Sequence, residues 1–150
     1  MRYLLDIDTC IYAMKGRDSV LHRMSLWKPQ DIGVSAIVEA ELRTGAAKSL
    51  SAVKAQRTLE HFLSPLVSVE FDSADARIYA RVRAQLEKAG TPIGPVDGLI
   101  AAQALVRKLT LVTNNEREYR RVAGLKVENW SKSANHENRL RHLRRESQSH

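Results

Sequence analysis

Short apolar runs alternate with longer helix-forming stretches along nearly the whole chain, and that order restricts the fold more than any other feature of the sequence. Residues 2–6, RYLLD, form an apolar run ending in an acid, and the Asp8-Thr9 pair offers a helix N-cap ahead of Cys10, Ile11, Tyr12 and Met14. Residues 31–35, DIGVS, read as a second strand. A helix rich in Ala, Glu, Leu and Lys follows over 36–49, broken only at Gly45, and another fits 52–63. Pro65 stops it, 66–71 read as a third strand, and the Ser73 hydroxyl can cap a long helix over 74–89 that Gly90 ends. The segment TPIGP at 91–95, with two prolines and a glycine, is a loop delivering the chain into a helix over 96–108 with Asp97 in its first turn. A fourth strand at 109–113, a short helix at 116–122 and a fifth strand at 125–128 complete the pattern. Strands alternating with helices imply an α/β fold: a central, mostly parallel sheet of about five strands with helices on both faces.

A chain of 150 residues suits one domain able to bury roughly 70% of its unfolded surface. With 43% apolar and 27% charged residues it matches ordinary globular usage, against disorder or a coiled-coil rod. Asp6 and Asp8 interrupt the N-terminal apolar run, so neither a signal peptide nor a membrane span is expected, and the cytoplasm is the expected compartment. The single cysteine, Cys10, can form neither an internal disulfide nor a multi-thiolate zinc site and reads as reduced core. The net charge of +7 biases the surface toward a polyanion such as nucleic acid. Of this, +3 lies in residues 131–150 and +4 in residues 1–130, which divides the chain into a mildly basic body and a basic C-terminal tail.

In an open parallel sheet, ligands sit beyond the carboxyl ends of the strands, and Asp6 closes the first strand on that side. Glu41 lies on a helix beside a partly apolar stripe, and Asp97 sits at a helix N-terminus, where the backbone dipole favours negative charge. Asn115 falls just past the fourth strand, on the same sheet edge as Asp6 if the strands are parallel. Each residue alone has a simpler explanation as a turn former, solvated helix face or dipole partner. Together, carboxylates from separate segments meeting at one sheet end would repel unless cations neutralise them, and hard oxygen donors without clustered His or Cys select Mg²⁺ or Mn²⁺. Acids, a divalent metal and a basic surround are the chemistry of phosphodiester cleavage. The five histidines show no metal-ligand spacing, nucleotide-cradling glycine motifs are absent, and Trp27 and Trp130 read as packing residues.

Four segments, LLDIDTCIY, SAIVEAELRTG, PIGPVDGLIAAQAL and LTLVTNNEREYRRVAGLKVENW, resemble the signature blocks of VapC toxins, the PIN-domain ribonucleases of type II toxin–antitoxin systems. The resemblance spans residues 2–130 and implies a PIN fold, a Mg²⁺- or Mn²⁺-dependent endoribonuclease acting on structured RNA such as tRNA, a cognate VapB-like antitoxin and a homodimer. It also implies that Asp6, Glu41 and Asp97 are the acidic metal-site residues, with Asn115 where a fourth acidic or amide residue often stands. The dimer would use apolar residues of the stretches 53–63 and 74–86, which could equally be core. Two departures stand out: where the family commonly reads DTN the chain has Asp6-Ile7-Asp8, and Val38 occupies a usual Thr position. The tail from Ser131 has no counterpart in the resemblance.

LLDIDT also resembles the aspartyl nucleophile motif of haloacid-dehalogenase-like phosphatases, but no Asp follows Thr113 to supply their downstream metal ligands. A catalytically weak PIN-like module that binds RNA or antitoxin without cutting is the nearer of the two alternatives, and the intact set of Asp6, Glu41 and Asp97 argues against it.

Overall fold

The computed structural model describes residues 1–132 together with Arg145 and Gln148, so most of the basic tail lies outside the described residues. Five strands, Tyr3–Leu5 (β1), Ile32–Ser35 (β2), Val67–Val69 (β3), Thr110–Val112 (β4) and Lys126–Glu128 (β5), form one sheet in the order β3-β2-β1-β4-β5. Every pairing is parallel. Helices Ile7–Met14 (α1), Asp18–Ser25 (α2), Ala36–Ala47 (α3), Ala52–Leu63 (α4), Ser73–Lys88 (α5), Pro95–Arg107 (α6) and Glu116–Tyr119 (α7) carry the crossovers. The central strands β1 and β4 bury Leu4, Leu5, Leu111 and Val112 completely, which is why they read as uninterrupted apolar runs rather than alternating ones. Tyr3 packs edge-on to both Trp27 and Trp130, each at a centroid distance of 4.9 Å, so the two tryptophans are packing residues. Cys10 is buried and unpaired. Among the described residues no helix is long and apolar enough to cross a membrane.

Several local expectations need correction. Asp6, not Asp8, caps α1: its extended backbone and side chain, which accepts from the Ile7 N–H, let the helix begin directly after β1, and Asp8 falls in the first turn. Gly45 does not break its helix but lies inside α3, whose buried Leu42 and Ala46 outweigh one glycine's unfavourable propensity. Helix α5 is capped by Asp72 in a reciprocal box with Asp75, and Ser73 is its first helical residue. Helix α2, which follows Gly16 with its left-handed φ of 80°, was not legible as a separate element. Pro95 opens α6 rather than ending the preceding loop, as its fixed φ and missing N–H allow at a first helical position.

The apolar residues of the stretch 74–86 belong to the core, since Val82 and Leu86 are buried, whereas Val53 is 72% exposed and Leu50 fully exposed at the start of α4.

Helices α5 and α6 pack closely, and at Gly98 of α6 a Cβ would stand 3.0 Å from the Tyr79 ring, so a larger residue there would require the ring to give by a few tenths of an ångström. A charged clasp ties the same pair. Asp75 is fully buried and receives both guanidinium nitrogens of Arg107, at 2.6 and 3.0 Å. Burial opposes ionisation of Asp75, but Arg107 and the Asp72 N–H outweigh it and hold the carboxyl below its ordinary value. Replacing Arg107 by Leu strands that charge in the interior, and we expect a loss of about 3–5 kcal/mol in urea unfolding. A loss below about 1 kcal/mol would show that Asp75 is satisfied without its partner.

Candidate active site

The register of β1 against β4 pairs Leu5 with Val112, so Asp6 and Thr113 are the first residues past two adjacent strands at the carboxyl edge of the sheet. The Asp6 N–H donates to the Val112 carbonyl at 2.9 Å, and the Thr113 hydroxyl donates to Asp6 Oδ2 at 3.0 Å. Asp6 is only 6% exposed. Burial raises its pKa to about 6; the Ile7 N–H and Thr113 hydroxyl oppose the rise, while the carboxylates of Asp8 and Asp97 add to it.

Asp97, in the first turn of α6, accepts a 3.0 Å hydrogen bond from the Tyr119 hydroxyl. Its pKa is also raised, chiefly by half-burial, with the Tyr119 bond opposing and the charges of Glu118 and Glu41 contributing. Asp6 and Asp97 are therefore brought together. Glu41 is exposed on α3, where its charge reaches Asp97 and its side chain borders a groove between α1, α3 and α4.

Asn115 reaches the same edge but turns toward another partner. Its Nδ2 donates to Glu118 Oε2 at 2.6 Å, and its N–H donates to the Thr113 hydroxyl. Glu118 also accepts from the Gly94 N–H at 3.2 Å, fastening the loop before α6 to α7. The Asn115 bond first, then the Gly94 N–H among others, outweigh burial and hold Glu118 below its ordinary pKa. Asp8, rather than capping α1, accepts from the Asn114 N–H at 3.0 Å and ties the start of α1 to the end of β4. Asn114 continues outward through Asn129, Glu116, Ser131 and Lys132, so side-chain contacts run on past Trp130.

Sequence reasoning missed Glu118, Tyr119 and Thr113. The Asn115-to-Glu118 spacing of three, a helix-start pattern, was the available signal for the first. Nothing local marked the other two.

The donor set is all oxygen. None of the strongest influences on Asp6 or Asp97 is a cation; they are burial, hydrogen-bond donors and other acids. Among the described residues no three His, Cys, Asp or Glu side chains stand close enough together to enclose an ion. That arrangement fits Mg²⁺ or Mn²⁺ held openly by one or two carboxylates, with water and phosphate oxygens completing the shell, and does not fit a closed structural site.

Residues 3–125 match the family model described as the PIN domain. A "tRNA(fMet)-specific endonuclease VapC" of Salmonella typhimurium is 35% identical over 130 residues, covering 87% of this chain and 98% of that protein. The "Ribonuclease VapC2" of Rickettsia felis is 40% identical over 134 residues, covering 88% of this chain and 100% of that protein. Among solved structures, DNA-bound VapBC from Salmonella typhimurium superposes with a TM-score of 0.82 at 36% identity, covering 87% of this chain and 98% of the other. VapBC2 from Rickettsia felis, bound to a promoter DNA fragment, also gives 0.82, at 38% identity over 87% and 99%. The chain belongs to the PIN-domain family and, within it, to the VapC proteins.

The raised pKa of Asp6 has a consequence for stability. The folded protein binds the Asp6 proton more tightly than the unfolded chain, so in a chelator its stability falls as pH rises from about 4 to about 6 and stays lower above that. We expect Asp6→Asn, measured in EDTA, to be more stable than the wild type by about 2 kcal/mol at pH 8, and to lose that advantage at pH 4. A variant less stable at both pH values would refute the reading.

Proposed function

We propose that this protein is a Mg²⁺- or Mn²⁺-dependent endoribonuclease, the toxin of a type II toxin–antitoxin pair, which cleaves structured RNA to halt translation and growth. The observation that carries the proposal is the convergence of two buried or half-buried carboxylates, Asp6 and Asp97, at the carboxyl edge of the sheet with no cation among their strongest influences. The ribonuclease and endonuclease names of the relatives support it. Asp6 and Asp97 would hold the ion, with the charge of Glu41 beside them, and the bound ion would supply Lewis-acid polarisation of the phosphodiester and a more acidic water. The Ile7 N–H and Thr113 hydroxyl fix Asp6, and the Asn115–Glu118–Gly94 chain fixes the start of α6 under Asp97. With no histidine at this edge among the described residues to act as base, in-line attack leaving 5′-phosphate and 3′-hydroxyl ends is the expected outcome. The positive body suits an RNA gripped through its backbone with a loop presented to the acids. A tRNA, cut in its anticodon region, is the target we favour; the name of the Salmonella relative supports a tRNA substrate, and such a substrate is consistent with a cytoplasmic protein.

The solved relatives include toxin–antitoxin complexes, which supports a VapB-like antitoxin as partner. The groove beside Glu41, about 680 Å³, is lined by Ile7, Ile11, Met14, Leu42, Ala46 and Leu59. An antitoxin arm, disordered until bound, would lay apolar residues there and set an Arg or Lys among Asp6, Glu41 and Asp97 in place of the metal. Exposed Leu50 and Val53 leave the start of α4 available to a homodimer contact.

Incubating antitoxin-free protein with total bacterial RNA, with and without Mg²⁺ or Mn²⁺, and mapping the new ends tests the enzyme reading. Asp6→Asn and Asp97→Asn should each lower cleavage by at least about a hundredfold. Full activity in EDTA, or 2′,3′-cyclic phosphate ends, would overturn the mechanism. Indiscriminate cutting of single-stranded RNA would remove the selectivity.

A further inference from the structure

Tyr119 has no place in the site as the sequence describes it, yet it is the side chain that touches the site from beneath. It is the last residue of α7 and its exposure is 0%. The ring belongs to the main apolar cluster, but its one polar atom does not find a backbone carbonyl. The hydroxyl donates to Asp97 Oδ1 at 3.0 Å, and the charge of Asp6 also acts on it. It thus stands between two carboxylates carried by different elements, one closing β1 and one opening α6. Its own carrier is anchored to the same loop, because Glu118, the preceding residue, holds the Gly94 N–H and the Asn115 amide. A ring fully buried in the core, with its hydroxyl bonded to Asp97, holds that carboxylate in place beside the charge of Asp6.

A phenol has one proton and can donate it to one carboxylate at a time. Tyr119 can therefore orient the pair but cannot neutralise it, and the remaining charge is left for a cation approaching from the open side. We propose that Tyr119 is a positioning residue that sets the spacing and orientation of Asp97 against Asp6 and so tunes the affinity of the acidic pair for a divalent ion. This inference rests on the metal-dependent reading above.

The test uses the full chain and Mn²⁺ as the probe. Tyr119→Phe keeps the ring and removes only the hydroxyl oxygen; Tyr79→Phe removes a hydroxyl that faces Arg83, outside the site, and serves as the control. Mn²⁺ binding is followed by the loss of free-ion electron paramagnetic resonance signal, and RNA cleavage is followed as a function of Mn²⁺ concentration. We expect Tyr119→Phe to bind Mn²⁺ about tenfold more weakly and to need correspondingly more Mn²⁺ for half-maximal cleavage, with the rate at saturating Mn²⁺ little changed. Tyr79→Phe should behave as the wild type. A purely structural role would lower the rate at all Mn²⁺ concentrations, or lower the melting temperature in EDTA without shifting the Mn²⁺ dependence, and either result overturns the proposal. Wild-type affinity in Tyr119→Phe overturns it while leaving the metal reading intact. Failure of the wild type itself to bind Mn²⁺ sinks both.

Discussion

The parallel pairing of β1 with β4 is the constraint on which the rest of the molecule depends. Strands 107 residues apart at their ends are locked in register by main-chain hydrogen bonds, and the last of these, from the Asp6 N–H to the Val112 carbonyl, puts Asp6 and Thr113 side by side. Parallel strands require crossover segments, and these carry the helices to the faces of the sheet. One crossover brings α6, with Asp97, back to the edge where Asp6 emerges. A slip of one residue in this register would exchange the faces on which one strand's side chains pack and carry Asp6 away from Thr113.

The site that results is electrostatically unfavourable taken alone. Asp6 is buried, Asp97 half-buried, and burial together with the charges of neighbouring carboxylates raises the pKa of both. The rest of the fold tolerates this because the surrounding acids are otherwise engaged. Asp8 is tied to Asn114, Glu118 to Asn115 and Gly94, and Glu116 to Asn129 and Lys132. Burial of Glu116 opposes its ionisation, but Lys132 and Asn129 outweigh it and hold its pKa below the ordinary value. The acids at this edge thus fall into two groups, those satisfied by donors that stabilise the framework and the pair left with excess charge. Fully buried Asp75, clasped by Arg107 on the far side of α6, shows what a buried carboxylate looks like when its partner is part of the same chain.

Elements with strong local signals were legible. The apolar runs became β1, β2 and β4, Gly90 ended α5 with a φ of 72°, and the proline- and glycine-containing loop delivered α6 with Asp97 in its first turn. Asp6 and Asp97 could be selected as candidates because residue type and position past a strand or at a helix start are written in one dimension. The cap assignments failed where two eligible residues stood close together, as with Asp6 and Asp8 or Asp72 and Ser73. Which one caps depends on where the preceding strand or loop releases the chain, and sheet pairing decides that.

The order of the five strands and of every helix but α2, the chemistry of the acids and the positive charge of the body were determined by the sequence alone, since each follows from residue identity and spacing of a few positions. The strand order β3-β2-β1-β4-β5, the meeting of Asp6 with Asp97 and the turning of Asn115 toward Glu118 were decided only by the tertiary structure. So was the place of Tyr119 beneath Asp97: a tyrosine in a short helix carries no local mark of what its hydroxyl will touch, because its partner lies 22 residues away and is brought to it by the packing of α6 against the same core.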